Sequence, residues 1–181
     1  MQMIQKIAGG AFVAVTLTLS LPGFASTKAE YSAVKERAEA DYKVSVERCK
    51  SLSGNPKDIC QAEAKAGRTK AEATAEADYK NTPKAHAEAA ENIAEADYDV
   101  AKQRCDAKTG NDKDVCVKEA KAVQVKAKAD AKAMEKSTAA RSDATDDKRD
   151  ANYKVAMAKC DGYAGAAKDS CEKTAKATYG K

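Results

Sequence analysis

Apolar and small side chains recur at helical spacing on both sides of a short turn near residue 54. Before the turn, one helical face carries residues spaced seven, four, four and three apart, namely Tyr31, Ala38, Tyr42, Val46 and Cys49. After the turn, a second face carries small residues, namely Cys60, Ala64, Gly67, Ala71 and Ala75. The two faces predict an antiparallel helical hairpin in which tyrosine rings meet small residues, with Tyr42 opposite Gly67.

The turn between the two arms carries helix-stop and helix-start signals. Gly54 suits the end of the first arm, Asn55 is a candidate N-cap for the second, and Pro56 suits the first helical position. A second turn, Gly110-Asn111, repeats the glycine and the asparagine cap. Each such segment therefore predicts helix, tight turn and helix.

This pattern occurs three times, at intervals of 55 to 56 residues. Each copy places a tyrosine before a pair of cysteines that are eleven positions apart; the residues are Tyr42, Tyr98 and Tyr153, with Cys49, Cys60, Cys105, Cys116, Cys160 and Cys171. A fixed period predicts an array of one supersecondary unit. In the second copy, the same alignment of arms places Tyr98 opposite Val123.

Two joints divide the array. Asn81-Thr82-Pro83 combines a cap with proline and predicts a sharp break, and the polar segment 142–150 predicts a weaker one. The expected organisation is a signal peptide at 1–25 and helical hairpin repeats at 26–80, 81–141 and 142–181, with six helices. The predicted fold class is all-α, an elongated array of three αα-hairpins, each joined by a local disulfide.

The first 25 residues have the organisation of a secretory signal peptide. Lys6 precedes a mostly apolar run from 7 to 21, and Gly23-Phe24-Ala25 is a small-x-small cleavage site. The alternative is a retained membrane anchor, but the run is shorter than the roughly 20 residues that a spanning helix needs. We therefore expect a periplasmic or secreted protein that does not span the membrane after cleavage.

Export places the six cysteines in an oxidising compartment, where an even number predicts disulfides. A unit copied by duplication had to be self-sufficient, so the repeat favours pairing within each unit. Metal binding or redox chemistry by reduced cysteines is the alternative. Two thiolates without a partner histidine make a poor zinc site, and the Cys-x-x-Cys spacing of redox enzymes does not occur.

The composition excludes a conventional hydrophobic core. From residue 26 onward the chain has 36 alanines, but Leu, Ile, Val and Phe together make up only 12 of 156 residues. That share is well below the roughly 20% that a packed core requires. Abundant Ala, Glu and Lys favour helix, and disulfides would compensate for the small core. We expect Tyr42, Tyr98 and Tyr153 to act as packing residues rather than as a ligand platform.

The sequence offers no catalytic constellation, so we expect no enzyme activity, no cofactor and no metal site. His86 is the only histidine, and the paired carboxylates Asp146 and Asp147 stand beside basic residues in the second joint. Nucleic-acid binding is also not expected, because the lysines and arginines alternate with acidic residues at helical spacing. Examples of such pairs are Arg37 with Asp41 and Glu39 with Lys43.

The repeat resembles a group of small exported Ala/Lys/Glu-rich proteins of Gram-negative bacteria, often labelled TolA-like or cell envelope biogenesis proteins. The resemblance is carried by Ala-Glu-Ala-Asp-Tyr-Lys at 38–43, Cys49, Lys57-Asp58 and Cys60, with their later counterparts. It implies a location in the cell envelope and no established activity. The expected function is a non-enzymatic structural or interaction protein whose partner is an envelope protein or cell-wall component. The alternative is a small-ligand or metal-handling protein that uses reduced cysteines.

Overall fold

The computed structural model describes residues 26–181, and five α-helices account for nearly all of them. They are α1 (Lys28–Cys49), α2 (Gly54–Lys80), α3 (Pro83–Cys105), α4 (Gly110–Cys160) and α5 (Ala166–Tyr179). The described range contains no strand. The all-α class and the three disulfide-bonded hairpins are confirmed. The predicted signal peptide at 1–25 lies outside the described residues.

The helices form an open row. Within residues 26–181, each helix packs only against its neighbours in the chain, so that α1 contacts α2, α2 contacts α3, α3 contacts α4, and α4 contacts α5. Successive helices run antiparallel because the connections between them are turns of two to five residues. The row leaves most helices with at least one side open to solvent, which suits a sequence with few large apolar residues.

Local capping signals determine the start of α1 and the joint between α2 and α3. Thr27 and Glu30 form a capping box at the start of α1, where the Glu30 amide donates to the Thr27 hydroxyl. At the predicted break between the first two repeats, the Thr82 hydroxyl accepts from the Ala85 amide and Pro83 opens α3. Asn81 lies in the left-handed region with φ of 46°, which ends α2. The predicted break at this joint is confirmed.

The glycine of each hairpin turn has a different role from the one predicted. Gly54, Gly110 and Gly165 have φ of 57–60° and stand at the start of the second arm rather than at the end of the first. A side chain is strained in this region, so glycine suits the position. Asn55 does not cap α2: its side-chain amide donates to the Gln103 carbonyl of α3, at 2.8 Å. The predicted asparagine cap is therefore wrong at Asn55, which instead bridges two helices.

The predicted helix break at 142–150 is also wrong, because α4 continues from Gly110 to Cys160 as one helix of 51 residues. Its length is about 77 Å at 1.5 Å per residue. The segment contains neither glycine nor proline, the residues that stop helices most effectively. Thr145 donates its hydroxyl to the Arg141 carbonyl, and Arg149 pairs with Asp146 one turn away, so polar side chains are satisfied along the helix. The described chain consequently has five helices instead of the expected six.

The clusters of buried apolar residues lie between the first two repeats rather than inside them. Ala66 of α2 packs with Ala96 and Val100 of α3. Further along the same pair of helices, Ala73 and Ala77 pack with Ala89. Alanine permits the two backbones to approach closely, so this contact buries helix surface without large side chains. The α2–α3 pair therefore forms the core, although no disulfide joins these two helices.

We expect enlargement of this core to destabilise the protein. Ala77 is 2% exposed, so Ala77→Leu forces extra methylene groups into the α2–α3 contact and should lower the free energy of unfolding by about 1–3 kcal/mol. Ala40→Leu is the matched control, because Ala40 is exposed on α1. Urea unfolding followed by circular dichroism measures both. Equal midpoints for the two variants would contradict the assignment of the core to this contact.

We also expect continuous helix across the second joint. Backbone NMR of the oxidised protein should give helical Cα shifts from 136 to 149, a stretch in which every residue is exposed. The segment should show faster amide exchange than α2, because a single exposed helix lacks tertiary contacts. Random-coil Cα shifts at 142–150 would contradict the continuous helix and support the predicted arrangement of six helices.

Candidate functional site

Three disulfides hold the paired ends of the hairpins. They join Cys49 to Cys60, Cys105 to Cys116 and Cys160 to Cys171, with Cα–Cα separations of 5.6–5.7 Å. In each bridge the cysteine that ends the first arm is at most 1% exposed, while its partner is half-buried. The predicted connectivity is confirmed, and no cysteine is free in the described chain. A ring of this size stabilises a fold by about 3 kcal/mol on the loop-entropy estimate.

Tyr42 contributes to a cluster of an aromatic ring and two charged groups between α1 and α2. The Arg68 guanidinium lies over the Tyr42 ring at 4.3 Å and donates to the Glu39 carboxylate at 3.0 Å. Gly67 and Tyr42 line the same groove, but Gly67 is exposed, and the ring is covered by Arg68 instead of packing against the glycine. A Cβ at Gly67 would meet no atom within 4 Å, so the helices do not close at that position.

The missing side chain at Gly67 leaves an open groove of about 440 Å³ between α1 and α2. Arg48 and Ser45 line it next to Tyr42. The carboxylates of Asp41 and Glu63 line the groove as well, so its charged residues balance. The groove can accept a small polar group but lacks the enclosed apolar walls that are typical of small-molecule sites.

The second repeat has a different cluster at the equivalent place. Lys121 lies 5.0 Å from the centre of the Tyr98 ring and donates to the Gln124 side chain at 2.7 Å. Gln124 occupies the position that corresponds to Arg68 and is 5% exposed. Val123, which the alignment of the arms places opposite Tyr98, is 69% exposed and does not form a buried contact.

Four of the remaining five tyrosines pair with each other near the free ends of two hairpins, and the fifth, Tyr163, is exposed in the third turn. Tyr31 stacks on Tyr79 with ring centres 5.1 Å apart, and Tyr153 meets Tyr179 edge-on at 6.2 Å. These tyrosine pairs were not predicted, although the sequence contains a signal for the pair of Tyr31 and Tyr79. Tyr31 precedes Cys49 by 18 residues and Tyr79 follows Cys60 by 19, so an antiparallel hairpin aligned at its disulfide brings them together.

Ion pairs between helices extend along the row. Asp97 and Glu63 pair across the α2–α3 contact with Lys70 and Arg104, and Glu95 pairs with Lys128 of α4 at 2.9 Å. Two of the predicted pairs within α1 are present, Arg37 with Asp41 and Lys43 with Glu39. Exposed pairs of this kind contribute little individually to stability, about 0–1 kcal/mol, but they determine which faces meet.

Hydrogen bonds from cations lower the pKa values of several of these carboxyl groups. The Arg68 hydrogen bond is the main cause of the lowered pKa of Glu39, and the Lys128 hydrogen bond has the same effect on the pKa of Glu95. A lowered pKa means that the favourable contribution is present above the unfolded-state pKa and is lost as the pH falls through the folded-state value. The pairs between helices therefore weaken in acid.

The other residues considered for chemistry lie on the surface. His86 is exposed beside the turn between α2 and α3, as predicted. Asp146 and Asp147 are exposed on α4, where Asp146 pairs with Arg149 at 2.9 Å. Across residues 26–181, no cluster of three or more His, Cys, Asp or Glu side chains is arranged to hold a metal ion. None of the described helices is long and apolar enough to cross a membrane.

Comparisons with known proteins found no matching family model, no similar curated protein and no similar solved structure.

We expect the third disulfide to affect local structure more than the first. Helix α5 has 14 residues, contacts only α4 and buries one residue, Ala175. A helix of this length is marginal by itself. The double change Cys160→Ala and Cys171→Ala should therefore unfold α5 in solution, which amide exchange measured by NMR would detect.

The matched variant is Cys49→Ala with Cys60→Ala. It should leave α2 helical, because α3 still holds that helix through the alanine clusters. The expectation would be contradicted if the amides of α5 stayed protected from exchange without the Cys160–Cys171 bridge. It would also be contradicted if α2 unfolded without the Cys49–Cys60 bridge.

Proposed function

We propose that this chain is a non-enzymatic structural or interaction protein of the bacterial cell envelope, located in the periplasm. The observation that carries the proposal is the arrangement of disulfide-bonded hairpins along one long helix. The first two repeats pack together at one end of α4, and the third repeat stands at the other end, separated by the exposed helix 136–149. Such an arrangement holds two surfaces apart, as a spacer or adaptor does.

Two further observations support a location outside the cytoplasm. The three disulfides need an oxidising compartment to form and persist. The segment 1–25 has the sequence features of a cleavable export signal. The resemblance of the repeats to TolA-like envelope proteins supports the same location, and an envelope protein or cell-wall component is the expected partner.

The surface also suits interaction better than catalysis. Most of its tyrosines lie under cations or against each other, and its groove beside Tyr42 is open to solvent rather than enclosed. Charged residues of both signs alternate along the helices. A protein of this kind recognises a partner through extended helix faces.

The competing hypothesis is a small-ligand or metal-handling protein that uses reduced cysteines. A thiol titration of protein taken under denaturing conditions from the periplasm separates the two. We expect no free thiol, because all six cysteines pair in short and favourable rings. Four or more free thiols per chain would favour the competing hypothesis. Cells that cannot make periplasmic disulfides should accumulate less of the protein.

The structural role itself is tested by cross-linking in cells. A photoreactive residue at Tyr163, which is 57% exposed in the turn of the third hairpin, should form a discrete adduct with an envelope component. The same residue at Val44, 51% exposed on α1, tests the opposite end of the protein. A protein that remains in the cytoplasm, or that forms no adduct at either position, would contradict the proposal.

A further inference from the structure

Helix α4 carries a stripe of small apolar residues that packs against nothing in the described chain. In the first half of the helix the stripe consists of Ala122, Val125, Ala129 and Ala133, all of them exposed. Gln124 and Ala131, which face α3, are 5% exposed. A difference of two residues turns the direction of a side chain by about 200° around a helix, so the stripe lies opposite the α3 contact.

The stripe continues through the second half of the helix. Its members there are Ala140, Ala144, Ala151 and Val155, which are also exposed. Cys160 and Tyr153, which face α5, lie on the other side of the helix. Residues 122, 133, 144 and 155 are eleven apart, and an eleven-residue period follows one face of a nearly straight helix. The stripe therefore runs for about 50 Å along one side of α4.

The repeats show what covers the equivalent residues elsewhere in the molecule. The first-half residues correspond, at an offset of 56, to Ala66, Thr69, Ala73 and Ala77 of α2. The second-half residues correspond, at an offset of 55, to Ala85, Ala89, Ala96 and Val100 of α3. In α2 and α3 those equivalents are buried, except for the half-buried Thr69. Six of the eight, all but Thr69 and Ala85, form the two apolar clusters of the fold by packing antiparallel against each other. The two halves of the α4 stripe are thus copies of two surfaces that fit each other.

Continuous helix prevents the two halves from meeting within one molecule. Between α2 and α3 the chain reverses at Asn81-Thr82-Pro83, which brings the two faces together. At the corresponding place in α4 the sequence is Ser137-Thr138-Ala139, and the helix does not turn. Each half is therefore left without the surface that covers its counterpart.

We propose that the α4 stripe binds the α4 stripe of a second copy of this chain, which gives an antiparallel dimer with a two-fold axis near residue 138. In this arrangement the first half of each stripe covers the second half of the other, as α2 covers α3. Ala122 then meets Ala151 and Val155 of the partner subunit, and Ala133 meets the partner's Ala144. The interface is self-complementary, as a two-fold dimer requires, and contains the α2–α3 contact twice. This inference goes beyond the proposed function and does not depend on it.

The charges beside the stripe favour this pairing. The α2–α3 template places Glu63 next to Arg104, and the equivalent residues in α4 are Glu119 and Lys159, which are again of opposite sign. The same register places Asp130 opposite the partner's Lys148. Neither Asp130 nor Lys148 makes an ion pair within residues 26–181, so both are available.

One pair in the same register is unfavourable. Lys65 and Asp99 of the template correspond to Lys121 and Lys154, which have the same sign. Lys121 is already held within its own chain by Gln124 and the Tyr98 ring. The third template pair, Lys70 with Asp97, corresponds to Lys126 and Asn152 and is not an ion pair in α4. The favourable pairs, Glu119 with Lys159 and Asp130 with Lys148, still outnumber the unfavourable one.

The first test is the oligomeric state of the full exported chain with its disulfides intact. Sedimentation equilibrium should show a reversible dimer. Ala140→Glu places a carboxylate in the stripe of both copies and should weaken dimerisation by about a hundredfold, since the two-fold axis doubles each penalty. Ala139→Glu is the matched control, because Ala139 is also exposed, is the neighbour of Ala140 and lies outside the stripe. A monomer at every concentration, or equal dissociation constants for the two variants, would overturn the proposal.

A charge exchange tests the register of the dimer. Asp130→Lys and Lys148→Asp should each weaken dimerisation, because each places like charges opposite one another. The double variant should recover most of the loss, since it restores opposite signs at both symmetric positions. If the losses of dimer affinity in the two single variants simply add in the double variant, the two residues do not face each other.

A third variant restores the missing turn. Ser137→Asn with a proline inserted after Thr138 recreates the Asn-Thr-Pro joint that separates α2 from α3. The two halves of the stripe can then pack within one molecule, so a folded monomer is expected. Circular dichroism checks that its helix content is retained. A folded variant that dimerises as tightly as the unchanged chain would contradict the proposed interface.

Discussion

Close packing of the alanine-lined helices α2 and α3 is the interaction on which this structure depends, and disulfides supplement it by holding the arms of each hairpin together. From residue 26 onward, only 12 of 156 residues are Leu, Ile, Val or Phe, so the chain has little apolar surface to bury. Alanine lets two backbones come together along their length, as Ala66 and Ala96 show, but each contact is weak. The disulfides compensate because they keep two arms in register whether or not the arms are packed. Helix α5, with one buried alanine, depends most on its bridge.

The joints between repeats determine how a repeated sequence becomes an asymmetric molecule. Where Asn81-Thr82-Pro83 reverses the chain, two repeats share a core. Where the corresponding residues keep helical geometry, the arms of two repeats fuse into the 51-residue α4 and the third hairpin stands apart. The same small-residue faces are buried in one case and exposed in the other. A difference of two or three residues at a joint thus decides between an intramolecular interface and a surface that is available to another molecule.

Tyrosine has a different role here from that of a core aromatic residue. In this open row of helices, every tyrosine except Tyr163 lies at the seam between two neighbouring helices, with solvent on one side. Long cationic side chains can cover such a ring, as Arg68 covers Tyr42 and Lys121 covers Tyr98. Near the free hairpin ends, Tyr31 and Tyr153 meet another tyrosine instead. The cation contacts keep the seams polar, so the rings contribute packing without creating an adhesive apolar surface.

The sequence by itself determined the helical class, the three repeats, the disulfide pairing and the break at Thr82-Pro83. These features follow from local propensity, capping and a fixed period, which depend on residues close together in the chain. Only the tertiary structure decided that α4 continues through 142–150, that Arg68 covers the Tyr42 ring, and that the apolar clusters lie between α2 and α3. Spacing predicts which residues share a helical face, but the rotation of one helix against another depends on all of their contacts at once. The polar segment 142–150 contains only weak helix-breaking signals, and a helix without glycine or proline continues through it.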